Sequence, residues 1–130
     1  TVYACGADRV ILPTRLPSGS DALVCRSSAG ASELLDIRLS DSLEAALAYK
    51  EKGYTIVSAA IPNSSLCYEA DLKKPLLLII GGEKRGISSK LLEISDINIR
   101  IPYGGDFMGS LSTTSAVSIL AYEVLRQNSK

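Results

Sequence analysis

Residues 76–127 read LLLIIGGEKRGISSKLLEISDINIRIPYGGDFMGSLSTTSAVSILAYEVLRQ and contain two apolar segments, each followed by a glycine-rich loop. The first apolar segment stops at Gly81 and the second stops at Ile101-Pro102. Apolar residues spaced i, i+3, i+4, i+7 and i+8 then predict a final helix. Because ligands of open α/β sheets bind at the carboxyl ends of the strands, the two loops are expected to form a pocket.

The whole chain alternates between strand-like and helix-like segments. Short apolar runs predict strands, over residues 10–12, 37–39, 54–60, 76–80 and 97–101. Helical spacing and cap residues predict helices, over residues 22–35 (interrupted near Gly30), 41–53, 88–93 and 112–126. Residues 1–5 are expected to be the tail of a helix that ends at Gly6, and residues 61–75 are expected to be a loop. This alternation predicts one α/β domain with a mainly parallel sheet and helices on both faces.

Composition restricts the class of protein. The chain has 130 residues, zero formal net charge and 46% hydrophobic residues, so it is globular, and its bulk charge indicates neither a nucleic-acid nor a membrane partner. It has no histidine, and its three cysteines form no CxxC pair, so no metal site is expected. Reduced thiols favour a cytoplasmic protein, and no apolar run is long enough to span a membrane. The chain begins with Thr1 rather than Met, which suggests that residues are missing upstream.

The first glycine-rich loop, residues 81–86, has the sequence GGEKRG and follows a strand, as a phosphate-binding loop does. It matches neither GxxxxGK[ST] nor GxGxxG. One interpretation is an ordinary turn between strand and helix whose charged residues are solvated. The other is a binding loop in which glycines admit a ligand to the backbone and Lys84 and Arg85 form a local phosphate-binding pair.

The second glycine-rich loop, residues 103–109, contains two apolar side chains that are unusual in an exposed turn. Phe107 and Met108 either line a pocket, form a subunit contact or fold back on the core. Ser110 and Ser112 frame the start of the final helix. They either cap its free amides or leave those amides available to an anion.

Together these motifs resemble those of the SpoU/TrmH branch of the SPOUT superfamily of S-adenosylmethionine-dependent RNA methyltransferases. The family's second motif is an apolar strand, GNExxG[IL]S, a short helix, an Asp and a strand ending Ile-Pro. It corresponds here to GGEKRGIS at 81–88, Asp96 and Ile101-Pro102. The third motif, Ser-Leu-Asn and a helix of small residues, corresponds to residues 110–112 and the helix that follows. CGADRVIL at 5–12 matches the end of the family's first motif, and SAGA at 28–31 matches a further family signature.

The chain departs from the family pattern at three positions. Gly82 and Ser112 each stand where the family commonly has Asn. The first motif also has an Arg six residues before the position of Gly6, which falls immediately before Thr1. In the family this Arg helps to activate the attacking ribose hydroxyl and is partnered by the motif glutamate, here Glu83.

The resemblance implies a catalytic domain over residues 1–130, without its N-terminal part, that folds with a C-terminal trefoil knot. It implies a homodimer that binds S-adenosylmethionine and methylates a ribose 2′-hydroxyl of ribosomal or transfer RNA. It implies catalytic roles for Glu83 and Ser112 and RNA-binding roles for Lys84 and Arg85. It also implies a cofactor site formed by Ile80, Gly81, Gly82, Gly86, Ile101, Tyr103, Ser110 and Leu111.

Two alternatives are compatible with the sequence. The substitutions at Gly82 and Ser112 would suit a non-catalytic RNA-binding relative that keeps the knotted fold. A regulatory nucleotide-binding module of flavodoxin type is the other, and it would be stabilised by a flavin rather than by S-adenosylmethionine.

Overall fold

The computed structural model describes residues 1–14, 29–82 and 84–130, and in these ranges strands and helices alternate. The strands are β1 (Arg9–Leu12), β2 (Asp36–Leu39), β3 (Thr55–Ala59), β4 (Ser65–Leu66), β5 (Leu76–Ile80) and β6 (Ile97–Arg100). The helices are α1 (Ala31–Leu34), α2 (Ser42–Glu51), α3 (Ser89–Ile94) and α4 (Thr113–Asn128). No helix in the described ranges is long and apolar enough to cross a membrane.

Every pair of strands in the described ranges is parallel, as predicted, but the strands form two sheets rather than one. A two-stranded sheet joins β1 to β2, and a four-stranded sheet has the order β4-β6-β3-β5. β4 lies within the segment predicted as a loop. It contributes two residues, Ser65 and Leu66, which pair with Ile99 and Arg100. A strand of this length is too short to produce a recognisable alternation of apolar and polar residues.

Helices cover both faces of the four-stranded sheet, as the alternation along β3 shows. Val57 is fully buried in a cluster with Ile99 of β6 and with Leu120 and Val124 of α4. Successive strand residues point to opposite faces, so its neighbour Ser58 faces away from α4. The Ser58 hydroxyl lies 2.6 Å from the hydroxyl of Ser95, directly after α3. α4 therefore covers one face, and α3 lies on the other.

The predicted caps and stops are confirmed. Asp41 accepts a hydrogen bond of 3.0 Å from the Glu44 amide, and Ser88 and Ser112 cap α3 and α4 in the same way. The amides of Gly6 and Ala7 donate to Tyr3 and Val2, with Gly6 at a φ of 77°, which is the Schellman arrangement that ends a helical turn. Only the end of the predicted helix over 22–35 lies in the described ranges, where α1 begins after Gly30.

Asp96 directly precedes β6 and connects three elements near the amino ends of β3 and β6. Its Oδ2 accepts a 2.8 Å hydrogen bond from the Ile56 amide, and its own amide donates to the Ile56 carbonyl at 2.8 Å. Its Oδ1 accepts from Nζ of Lys50 on α2 at 2.8 Å, and Lys50 also donates to the Ile94 carbonyl. The Lys50 ammonium and the Ile56 amide hold the pKa of Asp96 below its ordinary value. Asp96, the aspartate of the second motif, therefore has a structural role: its hydrogen bonds hold β3 and α2 to the start of β6.

Asp96→Asn is expected to lower the free energy of unfolding by about 1 kcal/mol at pH 7, because the partly exposed salt bridge between Asp96 and Lys50 is lost. A depressed pKa in the folded state stabilises the fold above the unfolded pKa of about 4, and this contribution disappears as pH falls through the folded value. The difference between wild type and variant should therefore shrink on acidification. Denaturant unfolding at pH 7 and pH 3 measures it. Asp71→Asn, at an exposed carboxylate that accepts a 3.2 Å bond from the nearby Lys73 amide, is the control. A difference independent of pH would contradict the assignment.

Candidate functional site

A cavity of about 330 Å³ lies at the carboxyl ends of β3 and β6. Its lining is mostly apolar and comes from the ends of the two strands, the residues that follow them and the first half of α4. The lining residues are Ala59, Ala60, Ile61, Ile99, Arg100, Ile101, Pro102, Tyr103, Ala116 and Leu120. An apolar slot with a few polar groups at its edge suits a small aromatic ligand such as a nucleobase.

The loop after β5 reaches this end of the sheet and is tied to the start of α4. The hydroxyl of Thr113 donates a 3.1 Å hydrogen bond to the Gly81 carbonyl. Within the loop, the Gly86 amide donates to the Gly82 carbonyl at 3.0 Å, and Gly86 has a φ of 62°. The loop thus closes on itself beside the first turn of α4. Lys84 and Arg85 are exposed on it, and Glu83 lies outside the described residues.

Gly81 is required by the packing of this loop. A Cβ at this position would lie 2.6 Å from the carbonyl carbon of Gly86, 2.7 Å from its Cα and 2.9 Å from the Ile87 amide nitrogen. All three atoms belong to the backbone, so no side-chain rotation could relieve the contact. At Gly82, in contrast, an added Cβ meets nothing within 4 Å. The sequence suggested that the glycines allow a ligand to approach the backbone. At Gly81 the absent Cβ instead allows the backbone of Gly86 and Ile87 to pack against this residue.

The second loop is organised by Tyr103. Its hydroxyl accepts a 3.2 Å hydrogen bond from the Leu111 amide, which joins the beginning of the loop to its end. Its ring meets Phe107 edge to face, with ring centroids 5.2 Å apart and planes inclined by 74°. Phe107 and Met108 are 53% and 95% exposed, so of the three alternatives the one in which they fold back on the core is wrong.

Ser112 has a clear structural role. Its hydroxyl accepts a 3.2 Å hydrogen bond from the Ser115 amide and donates to the Ser115 hydroxyl at 3.0 Å. It is therefore the N-cap of α4, as its position predicted. The catalytic role that the resemblance gave to Ser112 stays a prediction.

Some of the predicted site residues line the cavity, and others are connected to lining residues by hydrogen bonds. Ile101 and Tyr103 line the cavity, and Leu111 is bonded to Tyr103. Ile80 is half-buried against the core, and Ser110 is exposed directly before Leu111. The sequence did not identify residues 59–61, although the small Ala59-Ala60 pair ends an apolar strand. Because parallel strands end at one edge, β3 supplies the cavity wall beside β6.

Among the residues that line this cavity, Arg100 carries the charge, and its guanidinium donates to the Ser64 carbonyl. The described lining therefore offers shape and apolar surface, with no carboxylate to act as a base. No group of three or more potential metal ligands occurs in the described ranges.

A second groove, of about 510 Å³, lies between α4 and the chain segments at 67–68 and 101–102. Exposed apolar surface comes from Ile119 and Tyr122 of α4 and from Tyr68, which are 41%, 61% and 53% exposed.

Glu123 and Cys67, which both line this groove, have shifted pKa values. Arg126 forms a salt bridge of 2.7 Å with Glu123 and holds the pKa of that carboxyl below its ordinary value. Burial, and secondarily the Glu123 charge, raises the pKa of the Cys67 thiol, so Cys67 is a protonated, structural thiol at neutral pH.

The chain matches a family model described as the SpoU rRNA Methylase family over residues 1–122. A protein of Staphylococcus saprophyticus assigned to the TrmH family of tRNA/rRNA methyltransferases is 34% identical over 128 residues, covering 98% of this chain and 51% of that one. The chain thus spans about half the length of the curated relatives it matches.

Two solved structures share the fold over most of this chain. An RNA 2′-O ribose methyltransferase superposes with a TM-score of 0.84 at 28% identity, covering 97% of this chain and 48% of that one. The SpoU methyltransferase AviRb from Streptomyces viridochromogenes, crystallised with S-adenosylmethionine, gives a TM-score of 0.79 at 26% identity, covering 95% and 51%.

Proposed function

The chain belongs to the SpoU rRNA methylase family, and we propose that it is a catalytic domain that methylates a ribose 2′-hydroxyl of ribosomal or transfer RNA with S-adenosylmethionine. The supporting observation is the cavity at the carboxyl edge of the four-stranded sheet, where Ile101 and Tyr103, two of the predicted cofactor-binding residues, form part of an apolar slot. The relatives that suggest the substrate are an RNA 2′-O ribose methyltransferase and a tRNA/rRNA methyltransferase. The proposal includes a cytoplasmic location, where ribosomal and transfer RNA are both present.

In this proposal the adenine enters the apolar slot, and backbone groups of the two loops hold the polar atoms of the cofactor. Glycine at 81 and 82 leaves those backbone groups uncovered by side chains. The bond from Thr113 to Gly81 and the bond from Leu111 to Tyr103 fix the loops before the ligand arrives. Such preorganisation reduces the entropy lost on binding. Ile80, Gly86 and Ser110 belong to the supporting backbone of this site.

We also propose that the C-terminal segment forms the trefoil knot of the family. The contacts of α4 are consistent with a helix held tightly by the chain that precedes it. Gln127 and Asn128 at its end bond the backbone of residues 70–74, and Thr113 at its start bonds the loop after β5. Ser118 in its middle lies 3.5 Å from the Thr1 hydroxyl.

The reaction breaks the bond between sulfur and methyl carbon of the cofactor and forms a bond between that carbon and the ribose oxygen. When bound, S-adenosylmethionine would supply the electrophilic methyl group and leave as S-adenosylhomocysteine, and the ribose hydroxyl would pass its proton to an RNA phosphate oxygen or to water. The chain has no histidine, so the usual base is absent. In the proposal Glu83 orients the arginine that the family places before Thr1, and that cation stabilises the developing oxyanion. Lys84 and Arg85 hold RNA phosphates, and Ser112 lies where the family has its third-motif Asn.

Calorimetric titration with S-adenosylmethionine, followed by transfer of tritiated methyl groups to ribosomal and transfer RNA, tests the function. Mass spectrometry of the digested RNA should show a nucleoside methylated on its ribose. Saturating ligand at 100 times its dissociation constant should stabilise the fold by about 2.7 kcal/mol, whereas a flavin should not. Cofactor binding without transfer, by a protein that includes the family's arginine before Thr1, would favour the non-catalytic RNA-binding relative, which the substitutions at Gly82 and Ser112 also suit. The absence of binding would overturn the proposal.

We expect the chain to form a homodimer through the second groove, because Ile119 and Tyr122 leave apolar surface of α4 exposed. Sedimentation at micromolar concentration should give twice the monomer mass. Ile119→Asp should yield a folded monomer, because a buried unpaired charge opposes association. Leu47→Asp, at a residue of α2 with a similar exposure of 43%, should remain dimeric. A monomeric wild type would contradict the prediction.

A further inference from the structure

The loop between β6 and α4 exposes the aromatic ring of Phe107, and the methyl transfer proposed above gives this ring no role. Phe107 is 53% exposed and does not line the cavity at the carboxyl edge. Tyr103 does line that cavity, and its ring touches Phe107 edge to face. The exposed ring is therefore one side chain away from the proposed cofactor site.

Phe107 is held in place although it faces solvent. Tyr103 supports it on one side and is itself fixed by the bond from the Leu111 amide. Gly109 supports it on another side, where the backbone passes so close that a Cβ would lie 2.7 Å from the Phe107 Cζ. Glycine at 109 therefore permits this position of the ring. An apolar ring that is braced in solvent is suited to a flat, apolar ligand surface.

We infer that Phe107 is a positioning residue on which an unpaired base of the RNA stacks, so that the attached ribose lies at the mouth of the cavity. The inference rests on the proposed function. Proteins recognise single-stranded RNA by stacking splayed bases on aromatic side chains. The adjacent Asp106 is exposed and would repel a phosphate, which favours a base over the RNA backbone at this loop. The cations at Lys84 and Arg85 lie in the other loop, where phosphates would be bound.

The test compares Phe107→Leu with Phe107→Tyr in binding of a short single-stranded RNA that contains 2-aminopurine. Loss of the stacking face should weaken RNA binding by about 5- to 150-fold and remove the fluorescence change of the stacked base. Phe107→Tyr keeps the face and should bind like wild type. S-adenosylmethionine affinity should be equal in all three proteins. In the transfer assay Phe107→Leu should raise KM for RNA more than it lowers kcat.

A second pair of variants displaces the ring without removing it. Gly109→Ala places a methyl group against Phe107 and should weaken RNA binding in the same direction as Phe107→Leu. Gly104→Ala lies in the same loop with nothing within 4 Å of the added Cβ, and should have no effect. Thermal unfolding of each variant checks that the fold is retained.

Three results would overturn the inference while leaving the methyltransferase proposal intact. All three concern Phe107→Leu. They are RNA binding equal to that of wild type, weaker binding of S-adenosylmethionine instead of weaker binding of RNA, and a monomeric variant of a dimeric wild type. The second would assign the ring to the cofactor pocket and the third to a subunit contact. A wild type that binds no S-adenosylmethionine would overturn both proposals.

Discussion

Gly81→Ala is expected to abolish the stabilisation of the protein by S-adenosylmethionine, although it adds only one methyl group. The Cβ would overlap the backbone of Gly86 and Ile87, at 2.6–2.9 Å, so the loop after β5 has to open. Opening moves the Gly81 carbonyl away from Thr113 and removes the backbone groups proposed to bind the cofactor. Overpacking of this kind costs about 1–3 kcal/mol of stability in the absence of ligand. The ligand-dependent gain of about 2.7 kcal/mol at 100-fold saturation should also be lost.

Gly104→Ala is the matched control, because it makes the same change at a loop glycine outside the proposed cofactor site. Nothing lies within 4 Å of a Cβ at Gly104, so stability should change by no more than about 0.5 kcal/mol and the thermal shift should be retained. Thermal unfolding of both variants, with and without the ligand, measures the difference. An unperturbed thermal shift in Gly81→Ala would show that the loop after β5 does not bind the cofactor.

The elements that the sequence predicted well are those whose signals are local. The five apolar residues of β5, the periodicity of α4 and the caps at Asp41, Ser88 and Ser112 each depend on neighbours in the chain, and all are present. β4 was missed because two residues carry no periodicity. The division into two sheets was missed because strand partners are chosen by packing between distant segments.

The site was predicted less completely, because its geometry comes from contacts between loops. Family motifs identified Ile101 and Tyr103, but no local pattern shows that Ala59 and Ala60 form the facing wall. The reason for Gly81 also differs from the expected one, since only the folded loop reveals that Gly86 returns against it. The knot has no local sequence signal at all, and it remains a proposal based on family membership.

In a protein that carries the family's arginine before Thr1, Glu83→Gln is expected to reduce methyl transfer to RNA by about 10- to 1000-fold while leaving S-adenosylmethionine affinity nearly unchanged. The change keeps the size of the side chain but removes its charge, and with it the charge-assisted hydrogen bond to the family's arginine that we propose for Glu83. Losing one preorganised electrostatic group at a reacting centre costs a factor of this order. Cofactor binding should persist because backbone groups carry it. Single-turnover transfer, measured beside calorimetric affinity, separates the two effects.

Glu93→Gln, at an exposed carboxylate of α3, makes the same chemical change away from the site and should be indistinguishable from wild type. If Glu83 were only a solvated loop residue, its variant would match this control, since exposed substitutions usually alter stability by less than about 0.5 kcal/mol. Equal single-turnover rates for Glu83→Gln and wild type would therefore refute the proposed role. A loss of transfer together with a loss of cofactor affinity would assign Glu83 to the binding of the methyl donor. Retained affinity with slow transfer is the result that assigns Glu83 to the transition state. Only the loss of an interaction that is stronger in the transition state than in the ground state slows transfer without weakening cofactor binding.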